Sequence, residues 1–231
     1  MPGYRTKQER ISIAGVDDLV IRSLLDRQQF SDRDGAAARI GISSAAWPLF
    51  GLLWPSGALL AARLGARPVT AGERILEIGC GLALASLVGH RRGADVTASD
   101  RHPLTALFLA ENLRLNGLEP MKYLHGDWDA FGDDADAGTD APAGFDLIVG
   151  SDLLYERDAS GALAGFVSRH AKASCEVWIV DPDRSNRPAF NLRMAAGGFA
   201  RSEERLDAVA TATGAGYKGR LLVYRRKLAP R

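Results

Sequence analysis

The sequence predicts an α/β fold, with helices layered on a mainly parallel sheet, and three observations carry that expectation. Short apolar runs recur along the chain. Helical stretches separate them at the spacing of strand–helix–strand units. The first such unit encloses a glycine-rich turn. The runs are RILEIG (74–79), DVTAS (95–99), MKYLH (121–125), FDLIVGS (145–151) and CEVWIVD (175–181). Helices are expected over 82–90, over 103–116 with Pro103 in the first turn, around 159–171, and again after Pro188. FARSEERL and YKGRLLVYRR, near the C-terminus, lack an intervening helix and read as an antiparallel hairpin at one sheet edge.

Two regions stand outside this rhythm. GDDADAGTDAPAG (132–144) is acidic, rich in small residues and aperiodic, so it reads as an exposed loop in the place of a crossover helix. The first 45 residues form an N-terminal extension to a domain spanning 46–231. Within it RISIAGVDDLVIRSLLDR fits a hairpin turning near Gly15, which is the preferred reading, or a strand followed by a helix. SGALLAARL (56–64), introduced by WPLFGLLWP, reads as a helix capped by Ser56. There are no internal repeats.

Composition narrows the function classes. With 46% hydrophobic and 25% charged residues the chain is ordinary for a globular protein, and 231 residues suffice for one large domain. A net charge of +1 without a Lys/Arg block gives no footprint for nucleic acid, and Arg225, Arg226 and Lys227 read as a solvated tail. Two distant cysteines argue against a disulfide framework. No run approaches the roughly 18 apolar residues of a membrane span, and the N-terminus lacks a signal-peptide core. The expectation is therefore a cytoplasmic protein that binds neither nucleic acid nor membrane.

The glycine turn decides the ligand. A dinucleotide turn needs G-x-G-x-x-G, but here Gly79-Cys80-Gly81 is followed by Leu84 at the third glycine position. Glu77, two residues before the turn, would repel a pyrophosphate and suit a cofactor bearing an ammonium, such as the methionine part of S-adenosylmethionine. Asp100 ends the next strand, where a carboxylate can accept both ribose hydroxyls. As alternatives, Glu77 would cap the following helix, and Asp100 the helix near Pro103.

These residues carry a resemblance. ILEIGCGLALASL resembles motif I of the class I, seven-strand S-adenosylmethionine-dependent methyltransferases, and VTASDRHPLTALFLAENLRLNG the segment that follows it in them. LLWPSGALLAARL resembles the W-P-x-G segment of the family-16 protein methyltransferases, which include the electron-transfer-flavoprotein β-subunit lysine methyltransferases. SDLLYE (151–156) matches their D/E-x-x-Y/F motif through Asp152 and Tyr155, and DPDRSNRPAF is similar to the D-P-x-R segment of some members. The glycine turn departs from many relatives in carrying Ala83 where they have a third glycine.

The resemblance spans roughly residues 47 to 200. It implies a Rossmann-like, mainly parallel seven-stranded sheet with helices on both faces and an antiparallel C-terminal hairpin strand. It also implies S-adenosylmethionine as cofactor and a lysine-bearing protein as acceptor. Asp127 would accept a hydrogen bond from the adenine amino group, and Trp128 would pack on the base; an exposed turn aspartate beside a core tryptophan is the alternative. Trp54 would either wall the pocket or anchor its own segment on the sheet. Cys80, a small filler in the turn, together with Arg101 and Ser151, beside Asp100 and Asp152, completes the expected cofactor contacts.

Asp152 is expected to dock and orient the incoming amine, since a carboxylate favours the ammonium and cannot itself lower the amine's pKa. Tyr155 would wall the methyl-transfer pocket, where a ring face suits a cation. A helix-capping Asp152 with a core Tyr155 is the structural alternative. The four histidines show no metal-ligand spacing, and His102 reads as a surface residue. The functional expectation is methylation of a protein lysine. The alternatives are a small-molecule N- or O-methyltransferase and a non-catalytic cofactor-binding protein, while Leu84 and Glu77 argue against a dehydrogenase.

Overall fold

The computed structural model describes residues 3–126, 128, 144–155, 157–207 and 216–227. After an N-terminal strand pair, β1 (Thr6–Ile11) and β2 (Leu19–Leu24), come helices α1 (Ala36–Arg39) and α2 (Pro55–Ala66), with a 3-10 turn at Trp47–Gly51 between them. The chain then alternates through β3 (Arg74–Ile78), α3 (Leu84–Arg91), β4 (Asp95–Asp100), α4 (Thr105–Leu115) and β5 (Lys122–His125). β6 (Phe145–Ser151), α5 (Ala162–His170), β7 (Ala171–Asp181), α6 (Arg187–Ala196), β8 (Ala200–Arg205) and β9 (Arg220–Arg226) follow.

Among the described residues the main sheet has seven strands in the order β5-β4-β3-β6-β7-β9-β8. The first five are mutually parallel, and β9 inserts antiparallel between β7 and β8. The chain winds outward from β3 in one direction through β4 and β5, then returns to β3's other side as β6. That reversal leaves a crevice beyond the carboxyl ends of β3 and β6, where open α/β sheets hold ligands. The central strands explain the strand order physically. Leu76, Ile78, Leu147, Ile148, Val149, Val177 and Ile179 are all fully enclosed, because helices cover both faces and alternation gives way to continuous apolar runs.

The expected helices shift by one to three residues at their ends, and one cap is corrected. α2 begins at Pro55 with Trp54 in the cap position. Ser56 makes no cap bond; it is buried and shares a 3.0 Å hydrogen bond with the Tyr217 hydroxyl, tying α2 to the segment before β9. Proline at the first helical position needs no donor there, which frees the serine for a tertiary contact. β7 is longer than the expected 175–181 run, extending back to Ala171.

β1 and β2 pair antiparallel, and β2 docks on α4 through two asparagines. The Val20 and Arg22 N–H groups donate to the side-chain oxygens of Asn116 and Asn112 at 2.9 and 2.8 Å. Asn116 returns a 2.8 Å bond to the Val20 carbonyl. The side chains of Leu19, Ile21 and Leu24 are buried in the same apolar cluster as Trp47, Phe50 and Leu60. An open strand edge is thereby satisfied by side chains rather than by another strand. The acidic stretch 132–144, save Gly144, lies outside the described residues, as does Asp127.

Candidate functional site

A cavity of about 920 Å³ opens beyond the carboxyl ends of β3, β4 and β6. The structure brings Trp54, Glu77, Gly79, Cys80, Gly81, Asp100, Arg101, Trp128, Ser151, Asp152 and Tyr155 to its wall. Only Asp127 among the sequence-nominated residues falls outside the described chain.

The glycine turn is shaped by close approach. Gly79 and Gly81 adopt φ of 56° and 52°, left-handed values that glycine reaches without strain. A Cβ on Gly81 would stand 2.8 Å from the backbone oxygen of Phe50, an atom that cannot swing away. A Cβ on Gly79 would meet a methyl of Leu153, which can. Gly81→Ala is therefore expected to destabilise the protein by about 1–3 kcal/mol and to lower its melting temperature more than Gly79→Ala, as differential scanning calorimetry would show. Ala83 also sits at φ 59°, as the residue that starts α3. A third glycine there would be free of strain, so this chain carries a local cost that a glycine would relieve.

Asp100 knits the turn together. Its Oδ2 accepts from the Gly81 N–H at 2.9 Å and its Oδ1 from the His102 N–H at 2.8 Å. These bonds replace the expected alternative of a helix cap, because α4 begins only at Thr105. An ionised carboxylate offers about four acceptor positions, so each oxygen keeps one for a ligand hydroxyl. Burial raises the Asp100 pKa, opposed by its two backbone bonds.

Glu77 is almost wholly buried at the end of β3. Its Oε2 accepts from the Ser86 N–H at 2.7 Å and from the Ser86 hydroxyl, so the capping alternative describes one of its oxygens. Desolvation pushes its pKa up to about 7, with the nearby Asp100 adding to the rise and the Ser86 bonds opposing it. Among the described residues no cation pairs with this carboxylate, and a ligand ammonium would supply one.

Cys80 lies inside the turn with its thiol pushed well up by burial, so it stays protonated and acts as filler. Trp54 lines the cavity, and its indole N–H donates to the Leu49 carbonyl at 3.0 Å, within the preceding 3-10 turn and not on the sheet. The Arg27 guanidinium covers its ring at 4.9 Å. The half-buried Trp128 places its ring 3.5 Å from where a Gly79 Cβ would stand. Tyr155 is 42% exposed, which removes the alternative of a core tyrosine and sets it at the cavity mouth.

The first N–H groups of α5 are held by Asp158, so Asp152 does not cap that helix; it lines the cavity and is paired with an arginine. Its Oδ1 accepts from both Nε and Nη2 of Arg184, at 2.9 and 2.8 Å. Its backbone is left-handed at φ 55°, a strained setting for a residue with a Cβ, and its N–H is tied to the Val180 carbonyl at 2.8 Å.

Sequence reasoning passed over Arg184 as an individual residue, although it ends the D-P-D-R segment. It also misplaced His102, which is buried rather than on the surface. The imidazole stacks on Phe50 at 3.7 Å, accepts from the Leu104 N–H through Nδ1, and is pushed down to about 3 by desolvation, so it is neutral. No sequence signal marks a histidine that an aromatic from a distant turn will enclose.

Comparison with known proteins places the chain. Residues 50–192 match the family model described as lysine methyltransferase. The electron transfer flavoprotein beta subunit lysine methyltransferase of Danio rerio is 36% identical over 76 residues, 32% of this chain and 30% of that protein. Its Rattus norvegicus counterpart is 30% identical over 79 residues, 33% of this chain and 31% of that protein. The matched segments thus span less than a third of these relatives' length.

Among solved structures, a T. thermophilus 16S rRNA methyltransferase in complex with AdoMet and guanosine aligns over 98% of this chain and 52% of its own, with TM-score 0.60 and 20% identity. A ribosomal protein L11 methylase from Lactobacillus delbrueckii subsp. bulgaricus aligns over 76% and 81%, with TM-score 0.56 and 20% identity. At such identities the likeness concerns the fold. The match over residues 50–192 takes in the glycine turn, Asp100 and the Asp152–Arg184 pair, and on it the chain belongs to the lysine methyltransferase family, within the S-adenosylmethionine-dependent methyltransferases of Rossmann-like fold.

Proposed function

We propose that the protein transfers a methyl group from S-adenosylmethionine to the side-chain nitrogen of a protein lysine. The observation that carries this reading is the placement of Asp152 and Tyr155 on the same cavity wall as Glu77, Gly81 and Asp100, within the segment matched by the lysine methyltransferase model. Glu77 would take the cofactor ammonium, Asp100 the ribose hydroxyls, and the Gly79–Gly81 turn would let the backbone approach the ligand closely. Trp54, Cys80, Arg101, Trp128 and Ser151 would complete the cofactor's surroundings, with Asp127 at the adenine. When bound, the cofactor supplies an electrophilic methyl group on a sulfonium.

The chain's task is then positioning and water exclusion, which are the main contributions to an in-line displacement. At about 920 Å³ the cavity lies at the upper end of the roughly 300–1,000 Å³ of ligand pockets, leaving space for an acceptor side chain beside the cofactor. Asp152 would orient the amine through Oδ2, and the exposed Tyr155 ring would guide a cationic side chain into the mouth. The names of the matched relatives make the electron transfer flavoprotein beta subunit the first acceptor to try.

The test incubates the protein with methyl-labelled S-adenosylmethionine and a protein extract, then separates macromolecular from small-molecule products. Label in a discrete nuclease-resistant protein band, lost with Asp152→Ala while cofactor binding persists, is the expected result. Label confined to small molecules would replace the protein acceptor with a metabolite.

A further inference from the structure

The turn that carries Arg184 is braced at several points. Its backbone N–H donates to Asp181 Oδ2 at 3.0 Å, and Asp181 is fully buried at the end of β7. The intervening turn passes through Asp183, left-handed at φ 58°. The Asp183 carboxylate is gripped by Arg187, Arg205 and Arg220 at 2.6, 2.8 and 2.9 Å. Asn186 ties the same turn to the loop after β6 by donating to the Leu154 carbonyl at 3.0 Å. Two left-handed, non-glycine residues, Asp152 and Asp183, thus lie in the two turns that this ion pair joins. The result is that both Arg184 donors converge on Oδ1 of Asp152, while Oδ2 accepts no hydrogen bond among the described residues.

A lysine must reach the cofactor as a neutral amine, since the attacking lone pair is absent from an ammonium. A bare carboxylate at that point would work against the reaction by holding the proton on the amine. A carboxylate whose charge is matched by a fixed guanidinium forms a pair of zero net charge. Its free oxygen can still accept an N–H from the neutral amine, but the pair has little preference for a cation.

We infer that Arg184 is a positioning residue that acts through Asp152, cancelling its charge so that the site orients an acceptor amine without holding it as an ammonium. This rests on the amine-methyltransferase reading above. The charged and titratable groups around Asp152 are Arg184, Asp181 with Arg187 of α6 behind it, Asp183 in the β7–α6 turn, and Tyr217 before β9. Of these Arg184 alone is in direct ionic contact with the Asp152 carboxylate.

The experiment follows binding of n-butylamine, as a lysine side-chain probe, to the full chain saturated with S-adenosylhomocysteine, by NMR titration between pH 7 and 9. Wild type is expected to bind about tenfold more tightly for each pH unit, because only the neutral amine, with a reference pKa near 10.4, is accepted. Arg184→Met exposes the Asp152 charge, so its affinity should be nearly independent of pH and higher than wild type at pH 7. Arg184→Lys, and the double variant Arg184→Met with Asp152→Asn, should both restore the pH slope. A role limited to holding the fold would change none of these slopes. Retained S-adenosylhomocysteine binding reports that a variant is folded, and Arg184→Gln replaces methionine should that variant fail. A flat wild-type profile, or an unchanged slope in Arg184→Met, overturns the inference alone. Absence of amine binding in wild type and variant overturns the inference and the amine reading together.

Discussion

Glu77→Gln is expected to make the cofactor-free protein more stable at pH 8 and to weaken cofactor binding by about 10- to 100-fold. Both effects come from one buried charge. In the folded protein Glu77 is raised to about 7 against an ordinary 4.5, so the folded state binds this proton more tightly than the unfolded chain. The stability it contributes is therefore complete below about pH 4.5 and is lost as pH rises through about 7. At pH 8 the buried anion costs on the order of 1–3 kcal/mol, which glutamine avoids while still accepting from Ser86. Thermal melts of the cofactor-free protein should show the variant above wild type at pH 8 and the difference gone near pH 4.5. A ligand ammonium reverses the balance by stabilising the anion. Wild-type affinity for S-adenosylhomocysteine should accordingly fall as pH drops from 7 to 5.5, with no such slope in Glu77→Gln. Calorimetric titration at three pH values checks both statements. Equal affinity in the two proteins at pH 7.5 would remove Glu77 from the ammonium site.

The second large effect belongs to Asp100. Asp100→Ala strips the acceptor from the Gly81 and His102 N–H groups together, and each orphaned buried donor costs about 1–3 kcal/mol. The brace on the glycine turn and the proposed ribose contact are lost in the same step. Cofactor affinity should fall by at least about 100-fold, and the melting temperature should drop as well. Asp100→Asn keeps an oxygen for one of the two bridges and should retain more of both. Comparing the two variants by calorimetry and melting separates the carboxylate's charge from its role as a brace. Unchanged affinity in Asp100→Ala would sink the ribose assignment.

The parts of this molecule that were legible in sequence are those whose physics is local. Strand runs such as FDLIVGS and CEVWIVD are apolar throughout because both faces of the sheet are covered, and their spacing with helices forces parallel pairing. Glu77, the two glycines and Asp100 declare themselves by type and order around one strand–helix–strand unit, and all four line the cavity. What stayed hidden depends on residues far apart in the chain. Ser56 gave up its cap because Tyr217 reaches it across 161 positions. His102 was enclosed by Phe50 and Trp47 of the 3-10 turn. The Asp152 carboxylate met Arg184, 32 residues on, because β6 and β7 are neighbours whose ends bring the two turns together. A short motif names an acidic residue, but only the fold supplies its counterion, and the counterion decides what the acid can do to an amine.

The most direct test of the central claim is the chemistry of the methylated residue itself. The protein is incubated with trideuteromethyl S-adenosylmethionine and the electron transfer flavoprotein beta subunit alongside a protein extract, and every labelled band is digested and sequenced by mass spectrometry. The expected label lies on a lysine side-chain nitrogen, is stable to base, and is absent when Asp152→Ala replaces the wild type. A base-labile carboxyl ester, or label recovered only from small molecules, would contradict it.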